Sequence, residues 1–270
     1  MRTIWRDVAD LVLPVDCAGC GRGRAVLCEA CGEELWGRVP GRVRPSPEPA
    51  GLPVVHAAAP YADAVRSVLL AHKERGAMVL ADALGRALAG VVGEGEMEVR
   101  NAGEVGTRTG TTVDAGPWPR PHRGRALRVC SERPVLLVPM PSARRIVGRR
   151  GHDPTRRMAL AAARRLRRAG APAEVVPALR HGRVVADQSG LNSRERQANL
   201  RGALELAPGV GRLLAGRRVV VVDDLMTTGA SLAEAARVVR LAQRGESTVK
   251  SRTRAAVIAA SPDSFEINRN

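Results

Sequence analysis

Short apolar runs alternate with amphipathic stretches along most of this chain. Val54 to Tyr61 predicts a strand, and Ala62 to His72 and Met78 to Val92 predict two helices. Val135 to Val138 is an unbroken apolar run, the pattern of a strand covered on both faces. A helix is expected from about Pro154 to Ala169, and Glu174 to Val176 suggests a further short strand. Val219 to Val222 is four consecutive valines, a second doubly buried strand, and an Ala-rich helical run follows from Leu232 to Ala242. Ala255 to Ala260 closes the series as a last strand. Strands alternating with helices argue an α/β fold on a parallel sheet.

Three regions break the pattern. Gly37 to Pro53, rich in Pro and Arg, reads as a linker between a Cys-rich start and the α/β body, which divides the chain into residues 1–53 and 54–270. From Gly93 to Pro134 periodicity gives way to Gly, Thr, Pro and Arg, the composition of a disordered or loosely ordered insertion. Arg183 to Asn199 is polar and loop-like, with Gln188, Leu191, Arg194, Arg196 and Asn199 in it. A long loop with so many hydrogen-bonding groups is more often functional than neutral.

The densest chemistry lies from Val219 to Ser231. Asp223 and Asp224 follow the valine strand, Thr227-Thr228-Gly229 makes a turn, and Ala230-Ser231 leads into the helix. In open α/β sheets, ligands bind beyond the carboxyl ends of the strands. A loop of small hydroxyl residues and Gly at a helix start offers amide N–H groups and a partial positive charge to a phosphate. Two adjacent carboxylates repel a phosphate but suit sugar hydroxyls, with any Mg²⁺ reached through substrate and water. A sugar-phosphate site is expected here. The other reading is a buried strand and a capped helix with two exposed acids.

Leu136 to Ser142 ends a strand in the rigid turn Pro139-Met140-Pro141-Ser142. Arg144, Arg145, Arg149, Arg150 and Gly151 then follow. Backbone donors and guanidinium forks suit a pyrophosphate, although an Arg run is also an ordinary solvated surface. Tyr61 and Lys73 flank an apolar helical stretch, and each could be unremarkable alone.

Cys17 and Cys20 form one C-x-x-C pair and Cys28 and Cys31 a second, with Gly19, Gly21 and Gly32 beside them. Four thiolates at this spacing suit a structural tetrahedral Zn²⁺. Disulfides are the alternative in an oxidising compartment. Cys130 falls in the irregular segment and reads as a free thiol.

The chain of 270 residues has room for one core and a small appendage. Its net charge of +16 points toward polyanions, and nearly all of it is Arg, with Lys73 and Lys250 the only lysines. Aromatic residues are few (Trp5, Trp36, Tyr61, Trp118, Phe265), so platforms for stacking bases are scarce. No apolar run reaches the roughly 20 residues of a membrane span. Met1 to Leu13 is too short and too charged for a signal peptide, so a cytoplasmic protein is expected.

The Val219–Ser231 segment resembles the phosphoribosyl-pyrophosphate (PRPP) motif of type I phosphoribosyltransferases. Taken with the double C-x-x-C, Tyr61, Val65-Arg66, Lys73, Val138-Pro139-Met140-Pro141, Arg150-Gly151, Gln188, Leu191, Arg196 and Asn199, the chain resembles the late-competence ComF family of phosphoribosyltransferase-like proteins. The resemblance implies a type I phosphoribosyltransferase-like parallel sheet flanked by helices, with a small zinc-ribbon-like N-terminal module. It implies PRPP at Asp223, Asp224, Thr227, Thr228, Gly229, Ala230 and Ser231, with Pro141, Ser142, Arg149, Arg150 and Lys73 as further PRPP-binding residues. Asp223 and Asp224 are its catalytic pair, Mg²⁺ accompanies PRPP, and the four cysteines hold zinc. It further implies a role in bacterial DNA uptake, with single-stranded DNA and competence-machinery proteins as partners. Where the family has Phe, Asn and Gln after Arg-Gly, this chain has His152, Asp153 and Pro154. Pentosyl transfer and a non-catalytic PRPP- or nucleotide-sensing, DNA-binding module both remain open on these grounds.

Overall fold

The computed structural model describes residues 16–23, 25–104, 133–142, 152–183, 200–243 and 253–265. In chain order these form α1 (Glu29–Trp36), β1 (Gly41–Val43), β2 (Val54–Pro60), α2 (Asp63–Lys73), α3 (Ala81–Glu104), β3 (Val135–Pro139) and α4 (Pro154–Arg168). There follow β4 (Ala173–Val175), β5 (Leu179–His181), β6 (Leu204–Leu206), α5 (Gly211–Leu214), β7 (Val219–Met226), α6 (Ala230–Gln243) and β8 (Arg254–Ala260).

Six strands make one sheet in the order β1-β2-β8-β7-β3-β4, and β5 with β6 makes a separate antiparallel pair. Among the described residues, only β1 runs antiparallel in the large sheet, and the other pairings are parallel. The valine run forms a strand because both of its faces are covered. Val220 and Val222 join Val135, Leu137 and Ile258 in a core with α2, α3 and α4, while Val219 and Val221 join Leu136, Val138 and Val257 in a core with α6. Alternation along a strand sends successive side chains to opposite faces.

Strand order fixes where a ligand would sit. From β3 the chain crosses through α4 to β4 on one side; from β7 it crosses through α6 to β8 on the other. Right-handed crossovers in opposite directions put their helices on opposite faces, which opens a crevice at the carboxyl ends of β3 and β7.

Three expectations change. Gly37 to Pro53 is not only a linker: Gly41–Val43 pairs with Val55–Ala57, and the Arg44 amide donates to the Ser264 carbonyl at 2.6 Å. The stretch from Gly93 is helical as far as Glu104 as a continuation of α3, and residues 105–132, including Cys130, lie outside the described residues. The acidic pair does not end its strand. Pairing with β8 carries β7 through Asp223, Leu225 and Met226, opposite Val257, Ala259 and Ala260. On the other edge, pairing with β3 stops at Val222. Among the described residues no helix is long and apolar enough to cross a membrane.

Candidate functional site

Because β3 stops at Pro139 while β7 runs on, Asp223 and Asp224 stand beside the open end of the β3–β7 crevice. Asp224 shares the parity of Val220 and Val222, so it faces the α2–α4 layer. There the last residue of α2 meets it. Lys73 Nζ lies 2.8 Å from Asp224 Oδ2 and donates to Oδ1 at 3.1 Å. Asp224 is buried, with its side chain 11% exposed, against 43% for Lys73. Asp224 is therefore not a freely exposed acid, whereas Asp223 stays partly open to solvent. The Lys73 ammonium compensates the burial of Asp224.

Asp223 is half-buried, and its Oδ1 accepts the Asp224 amide at 2.9 Å. Burial and the neighbouring Asp224 charge push the Asp223 carboxyl well above its ordinary value, and Lys73 offsets part of that rise. Burial alone would lower Lys73, but the charges of Asp224 and then Asp223 outweigh it and hold the ammonium above its usual range. The site thus combines a firmly protonated lysine with a carboxyl that gives up its proton reluctantly.

Thr227 is exposed and Thr228 half-buried, and Gly229 takes φ +72° directly before α6. That conformation disfavours any side chain, and a Cβ at Gly229 would also stand 2.9 Å from Leu52 Cδ1. The first α6 bond runs from the Ala233 amide to the Gly229 carbonyl, so the amides of Ala230, Ser231 and Leu232 start the helix without helical acceptors. Across the crevice, Ser142 donates to Asp153 Oδ1 at 3.2 Å, and Asp153 also caps α4 by accepting the Arg156 amide at 3.0 Å. His181 Nε2 lies 3.0 Å from the Pro141 carbonyl oxygen. Ser142 and Asp153, the residues on either side of positions 143–152, are thereby held together.

Asp153 and His72 carry more structure than their sequence context indicated. An Asp before Pro154 is a readable helix start. His72 is fully buried, with Nδ1 3.2 Å from the Ala77 carbonyl and Nε2 3.3 Å from that of Pro154, so it ties the end of α2 to the start of α4. Only folding brings these residues together. Arg144, Arg145, Arg149, Arg150 and Gly151 lie outside the described residues, as do Gln188, Leu191, Arg194, Arg196 and Asn199.

The second cluster is Cys17, Cys20, Cys28 and Cys31, whose sulfurs all lie within 4.8 Å of one another, with 3.7 Å between Cys20 and Cys28. Tetrahedral zinc with Zn–S bonds of about 2.3 Å needs sulfurs about 3.8 Å apart, so the set fits that metal with no position left open. The Cys28 amide donates to Cys17 Sγ at 3.3 Å. Burial would raise Cys17, but the amides of Cys28, Cys20 and Gly19 bring its thiol down to about 6. Burial and the surrounding sulfurs push Cys31 up. Gly19 is required by proximity, since a Cβ there would lie 2.7 Å from Cys31 Sγ. The cluster is not detached from the body: Cys17 and Cys31 pack with Ala64 of α2, and Leu35 of α1 is buried in the core beneath α2 and α3.

No protein-family model and no curated protein matches the chain.

Proposed function

We propose that this chain is a type I phosphoribosyltransferase-like protein of the ComF kind that binds PRPP at the β3–β7 crevice. The observation that carries the reading is the acidic pair beside the Thr-Thr-Gly helix start, at the point where strand order reverses. Asp223 and Asp224 would hold the ribose 2′ and 3′ hydroxyls, and the amides and hydroxyls from Thr227 to Ser231 the 5′-phosphate. Lys73, Pro141, Ser142, Arg149 and Arg150 would attend the pyrophosphate. The Lys73 ammonium has three donors; two geometries are taken by Asp224, which leaves one for an incoming phosphate oxygen. Mg²⁺ would screen the pyrophosphate charge when bound with it. Breaking the bond at C1′ develops positive charge on the ribose, and carboxylates fixed beside it stabilise that charge. The four cysteines would hold a structural zinc that braces α2.

The resemblance also extends to handling of incoming single-stranded DNA with competence-machinery proteins, and the +16 net charge supports a polyanionic partner. A second reading, a PRPP or nucleotide sensor without turnover, is favoured by one observation. Asp153, which stands where the family carries a polar residue beside the pyrophosphate, is engaged by Ser142 and by the α4 cap. Titrating PRPP with Mg²⁺ in a thermal-shift assay tests binding, since a ligand of the native state raises apparent stability. Pyrophosphate release on adding candidate base acceptors then separates transferase from sensor.

A further inference from the structure

The 15 residues of α4 include six arginines and no acid. At 3.6 residues per turn, Arg156, Arg157, Leu160, Arg164, Arg167 and Arg168 fall within about 120° of one another, and all are exposed. The row from Arg156 to Arg168 is about 18 Å long. Arg164 meets Asp82 of α3 at 2.9 Å, and Arg167 donates to the Ala173 carbonyl at 2.7 Å. Among the described residues, no carboxylate pairs with Arg156, Arg157, Arg165 or Arg168. Helix stability does not account for this pattern. Arg156 and Arg157 sit in the first turn, where the helix dipole disfavours positive charge, and Arg164 with Arg168 is a like-charged i,i+4 pair. The net charge is not spread evenly either, since α1 carries Glu29, Glu33 and Glu34 and no basic residue.

We infer that the exposed face of α4 is a docking surface for the phosphodiester backbone of a nucleic-acid duplex. Guanidinium forks match phosphate oxygens, and a row of them on a rigid helix meets a rigid row of phosphates. Beside arginine the face offers only Leu160, so an unpaired base finds no aromatic ring to stack on. A single strand would therefore gain the phosphate contacts alone. A duplex carries about twice the charge of one strand along its axis, so the same arginines release more counterions from it. The surface is separate from the PRPP crevice: Arg164 and Arg168 lie about 15 and 21 Å along the helix axis from Pro154. The inference does not rest on the PRPP reading, and its partner differs from the single strand that the family resemblance implies.

The test is fluorescence anisotropy of the full chain with a short DNA duplex of mixed sequence, one of its strands alone, and phosphatidylserine vesicles as competitor. Wild type should prefer the duplex to the strand by about fivefold or more. If about four phosphates are neutralised, affinity should fall on the order of 100-fold between about 50 and 200 mM salt. Arg157→Gln, Arg165→Gln and Arg168→Gln together should weaken duplex binding by about tenfold or more and flatten its salt dependence. The same three positions changed to Lys should keep that salt dependence, which guards against a Gln variant that folds poorly. Arg38→Gln, Arg201→Gln and Arg212→Gln remove equal charge from exposed positions elsewhere and should leave affinity within about threefold. No duplex binding at low salt overturns the inference. So does a strand bound as tightly as the duplex, displacement of the duplex by vesicles at equal negative charge, or an equal loss from the scattered control. A failure of the PRPP reading shows elsewhere, as wild-type protein that binds duplex and ignores PRPP.

Discussion

Lys73 and Asp224 stand 151 positions apart in the chain and 2.8 Å apart in space. Their contact closes the acidic end of β7 against α2, and it makes a buried carboxylate tolerable at the mouth of a crevice.

Lys73→Met should therefore harm stability as well as binding. It leaves Asp224 buried without its cation, at a cost of about 1–3 kcal/mol for a group partly open to water. Urea denaturation measures it, and adding Asp224→Asn to Lys73→Met should restore much of the loss. Equal stability of Lys73→Met and wild type would show the pair to be incidental.

The raised Asp223 carboxyl gives a pH signature. Its proton is held more tightly folded than unfolded, so its contribution to stability falls as pH rises from the ordinary Asp value of 3.8 through the higher folded value, then levels off. Asp223→Asn removes that slope. Thermal melts of the two proteins across this range check it: the variant should melt close to wild type near pH 4 and above it at pH 7. Lys73 works in the opposite sense. Its stabilisation is present below 10.5 and lost as pH rises through its higher folded value.

Gly229→Ala tests the proposed phosphate loop. A side chain at φ +72° and 2.9 Å from Leu52 Cδ1 should cost about 1–2 kcal/mol and weaken PRPP binding more than it weakens the fold. Thermal melting and PRPP titration on the same preparation separate the two effects.

Much of this architecture is legible in the sequence, and the misses share a cause. Buried strands such as β3 and β8, and α4 with its Asp-Pro start, announce themselves because burial and capping act locally. β1 is only Gly-Arg-Val, and nothing in three residues shows that β2 offers it an edge. The continuation of α3 past Gly93 is hidden by Gly and Glu, residues whose own preferences give no apolar stripe there. Asp223 and Asp224 look like a strand end because they are polar, yet β8 still pairs with them from the far side of the chain. At the proposed site, the Asp-Asp and Thr-Thr-Gly motif is contiguous and readable. The Lys73 and Ser142–Asp153 contacts exist only after folding.

The cysteine cluster should bind one zinc per chain, measurable by elemental analysis. Because Cys31 packs on Ala64 of α2 and Leu35 lies in the main core, Cys28→Ser should lower the melting temperature of the whole chain. A loss of a few kcal/mol corresponds to about 10 °C at this size. Calorimetry should show one transition. A separate early transition, with the body melting at its usual temperature, would show the cluster to be an independent unit.

Isothermal titration of PRPP with Mg²⁺ into wild type and into the Asp223→Asn, Asp224→Asn double variant tests the ribose-hydroxyl role most directly. Both proteins should fold, because each amide replaces a carboxylate of nearly the same shape. The expected result is saturable binding of one PRPP per chain to wild type and at least a tenfold weaker interaction with the variant, equal to a loss of about 1.4 kcal/mol or more. Equal affinity in the two proteins, or no binding to wild type, would contradict a PRPP site built on this acidic pair.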